Sequence, residues 1–369
     1  MLWRLPAPVR SLIVSDCRRY RSITTDAAAA ATTPPEPLRI LFCGSDDFSI
    51  ASLRKLFHAK QNVPNLIESI DVAHRPAKPT GRGLKELRQV PIQKVAAEEL
   101  QLNTHVIDTF TGWTPNVPIN LIIAVSFGLF VPPRILNLAK YKGLNVHPSL
   151  LPDLRGPAPL HHTILRRRPF AGITVQTLHP HKFDGGTILA QSPQPGLEYD
   201  RDSTLQNLIE YLGPVGGDML VDVLKSRAFI PPLEDVGWYA DSGGPIDHAG
   251  KVDKKRCFVD FSQATLSDIL SIEKIRGVPW TVLPNGHRLV MNKCRAADVV
   301  VDANVEAGIW CPDFDHPEHN EAIASHRQLL AKTACGGVLL IEQSTCEGGK
   351  LGSGYDRVKK IMGTKHVCL

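Results

Sequence analysis

The sequence predicts an α/β fold, a mostly parallel sheet followed by a smaller β-rich domain, and three observations carry that prediction. Short apolar runs alternate with helical patterns over residues 39–140, as a parallel sheet with crossover helices requires. The first run, Leu38–Cys43, ends in Gly44 and leads into a helical stripe of Phe48, Leu53, Leu56 and Phe57, which is how a doubly wound sheet opens. Beyond Pro231-Pro232 the apolar runs shorten and are parted by turn residues, the pattern of a small barrel.

The bulk numbers bound this reading. A chain of 369 residues exceeds one ordinary core, so two domains are expected. Hydrophobic content of 43% and charged content of 21% describe a folded globular chain. The longest apolar run, Leu121–Val131, is broken by Ser126 and Gly128 and falls far short of the ~20 residues of a membrane span. A net charge of +5 admits a polyanionic partner without requiring one. The eight cysteines form no C-x-x-C pair, which argues against a zinc ribbon or a thioredoxin-like centre and for isolated reduced thiols.

Residues 1–38 stand apart. Arg4, Arg10, Arg18, Arg19 and Arg21 come without any lysine, and Val9, Leu12, Ile13, Cys17 and Tyr20 fall at helical spacing. An arginine-rich amphipathic start reads as a mitochondrial transit peptide, processed near Tyr20, and places the mature protein in the mitochondrial matrix. Ala27–Ala31 and the proline-rich residues 32–37 read as a structureless linker.

The elements of the first domain follow in order. A dinucleotide fingerprint needs three glycines after the first strand; only Gly44 is present, which disfavours NAD. Leu66–Val72 is the second strand and runs into His74–Lys85, where two prolines and two glycines argue against a regular element. Five of those twelve residues can be cationic, so the segment is either a solvated loop or an arm for phosphates. Val90–Leu100 has helical periodicity, His105–Ile107 is a short strand and Leu121–Val125 the central strand. Pro132–Leu136 starts a helix with proline in its first turn.

Two stretches carry candidate chemistry. In Gly143–Pro152, Asn145 and His147 alternate with Leu144 and Val146, so a strand puts both polar side chains on one face. An amide beside an imidazole at a strand's end can polarise a carbonyl and handle a proton, although such a pair more often serves structure or capping. Gly172–Leu178 is a further strand. It leads to Asp184-Gly185-Gly186, a glycine turn that either presents a carboxylate or bonds its own backbone.

Asn145–Pro152 followed by Arg155-Gly156 closely resembles the signature of the 10-formyltetrahydrofolate-dependent formyltransferases, and Asp184–Ile188 resembles that family's second signature. The resemblance implies a Rossmann-like catalytic domain with Asn145, His147 and Asp184 as catalytic residues. It also implies a folate pocket lined by Phe127, Gly128, Ser149, Leu150, Leu151 and Pro152, with 10-formyltetrahydrofolate as donor and no metal.

Further segments resemble the methionyl-tRNA branch of the family. Gly44–Phe48 is similar to its G-T-P-D-F opening, with Ser45 and Asp46 replacing threonine and proline. Ser126–Pro132 is similar to its folate-pocket strand end. Arg75-Pro76-Ala77 and Gly81-Arg82-Gly83 resemble its R-P-A-G-R-G loop, with Lys78-Pro79-Thr80 inserted between the halves. This implies initiator Met-tRNA as the partner, held at its acceptor stem by Arg75, Lys78, Arg82 and Lys85.

Phe258–Ser262, the helical run Leu266–Ile275 and Gly277–Thr281 resemble the start of the family's C-terminal domain. The expected organisation is a catalytic domain at 39–231, a linker at 232–252 and an OB-like tRNA-binding barrel at 253–369. The barrel's short runs would be Leu289–Met291, Val299–Val301, Gly308–Trp310 and Val338–Ile341, and Lys254, Lys255 and Arg256 would contribute to an RNA-facing surface. Residues 311–326 read as an acidic loop insertion, with His316 and His319 solvated rather than metal ligands. Nothing implies a protein partner, and a monomer is expected. Two rivals stand beside this reading: a formyltransferase for a small amine such as a purine precursor or amino sugar, and a tRNA-binding protein without catalysis.

Overall fold

A computed structural model describes residues 36–80, 83, 85–298, 306–311, 328–362 and 367–368. The expected transit peptide, Arg82, the run Val299–Val301, His316 and His319 lie outside the described residues.

The first half runs β1 (Leu38–Gly44), α1 (Asp47–Asn62), β2 (Ile67–His74), β3 (Lys78–Thr80), β4 (Glu86–Arg88), α2 (Pro91–Lys94), β5 (Thr104–Val106), β6 (Leu121–Val125) and α3 (Pro133–Leu136). It continues with β7 (Gly143–His147), α4 (Pro159–Leu165), β8 (Thr174–Thr177), β9 (Ile188–Gln191) and α5 (Leu205–Ser226). Seven strands form one sheet in the order β5-β2-β1-β6-β7-β8-β9. The strands from β5 to β7 pair parallel, while β8 and β9 pair antiparallel. All five residues of β6 are buried, as a strand covered on both faces must be, which is why it reads as an unbroken apolar run.

Asp46 caps α1 by accepting from Ser49 N at 3.0 Å, satisfying one of the orphan donors of the first turn. The long α5 lies along α1 and opens on a capping box between Thr204 and Asn207. Together these helices cover one face of the sheet with Phe48, Leu53, Leu212 and Leu220.

One expectation is corrected and another refined. Part of His74–Lys85 is regular, because β3 and β4 form an antiparallel ribbon with Pro79 opposite Leu87. Proline is tolerated there because an isolated ribbon has edges where its missing N–H faces outward. The helix expected over Val90–Leu100 is present over residues 91–99: the α turn α2 runs on into a π-helical turn at Val95–Glu99, in which Leu100 N reaches back to Val95 O at 2.9 Å.

The second half comprises α6 (Leu266–Lys274), β10 (Trp280–Val282), β11 (Arg288–Ala296), β12 (Gly308–Trp310), β13 (Leu329–Lys332), β14 (Val338–Cys346), α7 (Gly354–Met362) and β15 (Val367–Cys368). Its six strands form an antiparallel sheet ordered β10-β11-β14-β13-β12-β15 around Phe261, Ile269, Met291 and Ile341. The segment between the halves is hydrogen-bonded to the first half: Val236 N donates to Ile188 O on β9 at 2.9 Å, and in the turn after β7 Leu154 N donates to Asp247 O at 2.8 Å while Arg155 O accepts from Ala249 N at 2.7 Å. No described helix is long and apolar enough to cross a membrane.

Candidate active site

The chain leaves β1 towards β2 on one side, while β6 flanks β1 on the other. Open α/β sheets bind ligands beyond the carboxyl ends of their strands at such a reversal. A cavity of about 570 Å³ opens there, within the ~300–1,000 Å³ typical of small-molecule sites. Its wall includes Asp46 after β1, Ser126–Val131 after β6, Asn145 and His147 on β7, and Asp184 after β8.

Asn145 is held by both neighbouring strands. Its Nδ2 donates to Ala124 O on β6 at 2.8 Å, and its Oδ1 accepts from Gln176 Nε2 on β8 at 3.1 Å. These partners fix which end of the amide is which. Nδ2 keeps a second hydrogen in a residue that lines the cavity. Gln176 is 1% exposed and its Oε1 accepts from Gly186 N at 3.0 Å. One buried amide therefore joins Asn145 to the glycine turn. Sequence reasoning did not single out Gln176; the available signal was an amide directly opposite Asn145 in a strand whose polar residues Thr174 and Gln176 share one face and are both buried.

His147 is buried, and its Nε2 lies 3.1 Å from Leu154 O. A carbonyl only accepts, so Nε2 carries the proton, and Nδ1 is the nitrogen turned to Asp184 Oδ1 at 3.5 Å. Asp184 adopts the left-handed backbone conformation (φ 50°), which aspartate tolerates better than most residues. Its Oδ2 accepts from Gly156 N at 2.9 Å. Gly156 has φ +124°, and a Cβ there would lie 2.6 Å from Ala249 O, so only glycine fits. The two motif stretches are thereby stitched together through Asp184 and Gly156.

Asp46 is open to the cavity but surrounded by protein elsewhere. Burial pushes its carboxyl up, opposed by hydrogen bonds from Ser49 N–H and the Ser126 hydroxyl. Among the described residues no group of three or more His, Cys, Asp or Glu is placed to hold a metal ion.

The other expected site residues divide. Phe127 and Gly128 line the cavity. Ser149, Leu150, Leu151 and Pro152 lie behind the wall and not in it: Ser149 Oγ donates to Asp153 O at 2.7 Å, Leu151 N donates to Thr174 Oγ1 at 3.1 Å, and Leu150 and Leu151 are buried. They brace the turn that brings Leu154 O back onto His147. Arg75 is engaged by Asp108, through its carboxylate at 3.0 Å and its backbone carbonyl. Lys78 and Lys85 are exposed on and beside the β3–β4 ribbon, and Lys254, Lys255 and Arg256 are exposed on a short turn capped by Asp253.

Residues 38–223 match the family profile described as formyl transferase. A mitochondrial methionyl-tRNA formyltransferase of Saccharomyces cerevisiae is 34% identical over 238 residues, covering 54% of this chain and 59% of that protein. One from Bos taurus is 30% identical over 253 residues, covering 68% of this chain and 60% of that protein. The matches thus span about three-fifths of these relatives' length. An N-formyltransferase from Helicobacter canadensis, solved with folinic acid and dTDP-3-aminofucose, superposes with a TM-score of 0.51 at 12% identity, covering 82% of this chain and 98% of that one, a likeness of fold. With half of its length matching the profile, including every residue of the constellation around His147, the chain belongs to the formyl transferase family.

Proposed function

We propose that the protein transfers the formyl group of 10-formyltetrahydrofolate to the free amine of methionyl-tRNA. The observation that carries this reading is the convergence of Asn145, His147 and Asp184 on one cavity at the sheet's reversal point. The names of the yeast and bovine relatives support the acceptor, and folinic acid, a formylated tetrahydrofolate, in the structural neighbour supports the donor class. The mixed wall, apolar along Phe127–Val131 and polar at β7, suits a heteroaromatic donor.

The donor supplies an activated one-carbon unit. The residues then have separate tasks. The second Nδ2 hydrogen of Asn145 stabilises the formyl oxygen as it gains negative charge, and losing one such donor costs ~10²–10³ in rate. Leu154 O fixes the His147 tautomer with Nε2 protonated, so Nδ1 is the base that takes the amine proton as nitrogen bonds to the formyl carbon. A gap of 3.5 Å to Asp184 is longer than a working hydrogen bond and leaves Nδ1 able to turn to the substrate. Asp184 stabilises the resulting imidazolium by proximity. The proton returns to the leaving nitrogen of the donor as its bond to the formyl carbon breaks, giving formyl-Met-tRNA and tetrahydrofolate.

Lys78, Lys85, Lys254, Lys255 and Arg256 would contact RNA phosphates, with Arg82 expected to join them. We further place residues 253–369 as an OB-like barrel serving that RNA, residues 1–38 as a transit peptide, and the protein in the mitochondrial matrix as a monomer. The test is purified protein with formyl-labelled donor and charged initiator tRNA. Label is expected on Met-tRNA. Label only on an amino sugar or purine precursor would overturn the acceptor, and no transfer to any amine would overturn the catalytic reading.

A further inference from the structure

At the mouth of the same cavity Phe183 is 65% exposed. Its ring meets Phe130 edge-on, with centroids 5.1 Å apart at 78°, so the contact leaves most of Phe183 in solvent. The core does not require it there, because an aromatic ring gains its folding contribution from burial. The preceding residues are His179, His181 and Lys182, of which His181 and Lys182 are exposed and His179 and Lys182 line the cavity with Phe183. An exposed aromatic beside a cation such as Lys182 is the means by which single-stranded nucleic-acid ends are held without sequence readout.

We propose that Phe183 is the stacking platform for the terminal base of the acceptor's single-stranded 3′ end, with Lys182 beside its phosphate and Phe130 as the buttress. The proposal rests on the aminoacyl-tRNA reading above and assigns a residue to it. Reach supports the assignment. The reacting amine hangs by an ester from the terminal ribose, and the base hangs from that same ribose, so base and reaction centre lie within one nucleotide of each other. Phe183 directly precedes Asp184, about 3.8 Å between Cα atoms, and Asp184 is 3.5 Å from His147 Nδ1. The other flat rings in the reaction are the pterin and aminobenzoyl rings of the donor. The apolar wall along Phe127–Val131 provides for the donor, which leaves the mouth beside Lys182 to the polyanion.

The test compares the wild-type protein, Phe183→Ala and Phe183→Trp on three acceptors: Met-tRNA, 2′(3′)-O-methionyladenosine and methionine methyl ester. The wild type is expected to prefer methionyladenosine to the methyl ester. Phe183→Ala should erase that preference and raise the KM for Met-tRNA by roughly 5- to 150-fold, the loss of one base stack, while the KM for the donor stays unchanged. Phe183→Trp should keep both. A raised donor KM with the acceptor preference intact would give the ring to the folate and overturn the proposal, as would no change in either. A wild-type protein that formylates small amines but not Met-tRNA overturns the underlying reading instead, and is seen before any variant is made.

Discussion

Gln176 Nε2 donates to Asn145 Oδ1 at 3.1 Å, directly across the β7–β8 register that pairs the two residues. The same side chain accepts from Gly186 N, so the orientation of the Asn145 amide and the seat of the glycine turn depend on one group. Gln176→Glu replaces the donor with an acceptor facing Asn145 Oδ1, and the amide must rotate to present Nδ2 to it. Its hydrogen to the cavity is then lost. We expect kcat to fall ~10²-fold or more, as for removal of an oxyanion donor, with the KM for Met-tRNA little changed. Gln176→Leu should instead cost ~1–3 kcal/mol in urea unfolding for each partner left unsatisfied. Unaltered kcat in Gln176→Glu would remove Gln176 from the positioning of Asn145.

Asp184→Asn keeps an oxygen for Gly156 N–H but removes the negative charge opposite His147 Nδ1. Turnover should drop ~10²–10⁴-fold, the usual scale of acid–base assistance, while Met-tRNA binding measured by filter retention persists. Near-normal turnover would mean that the imidazolium needs no counter-charge.

Asp46 supplies a pH-dependent test. Asp46 is exposed to the cavity, and desolvation by the protein packed around it pushes its carboxyl up, so the native state binds this proton more tightly than the unfolded chain. The sign follows: native stability declines as pH rises from the ordinary aspartate value of ~3.9 through the raised native value, then stays lower. Asp46→Asn removes the penalty and keeps a good cap for α1. The variant should melt above the wild type at pH 7 and with it at about pH 3. A variant less stable at pH 7 would show that the carboxylate's hydrogen bonds outweigh its desolvation.

What was legible in the sequence is what repeats locally. Period-two alternation put Asn145 and His147 on one face of β7, and the all-apolar run over Leu121–Val125 marked β6. The helix α5 was not legible, because Gly213, Pro214, Gly216 and Gly217 in its middle depress helix propensity. It holds by packing on α1 and the sheet, a tertiary gain absent from any local window. The site failed in the same way wherever long-range contacts decide it. Gly156 reaches Asp184 across 28 residues, Arg75 is taken up by Asp108 across 33, and Ser149–Pro152 turn inward to carry Leu154 O. Their residue types were visible, but their partners were not.

Arg168 anchors that inward turn and gives the largest stability prediction. Its guanidinium binds Asp153 through both oxygens, at 2.9 and 3.0 Å, and Asp247 at 2.5 Å, tying the turn after β7 to the segment that joins the two halves. Asp153 is 4% exposed. Arg168→Met leaves its carboxylate buried without a counter-ion, a loss of ~3–5 kcal/mol at pH 7. Hydrogen bonding to Arg168 holds the Asp247 carboxyl below its ordinary range. A depressed acid contributes stability above its unfolded value and loses it as pH falls through the folded one. The gap between wild type and Arg168→Met should therefore be widest near neutrality and narrow steadily on acidification below about pH 4. Urea unfolding of both proteins across that range measures it, and a gap that stays constant down to about pH 2 would show that Arg168 stabilises by packing and not by charge.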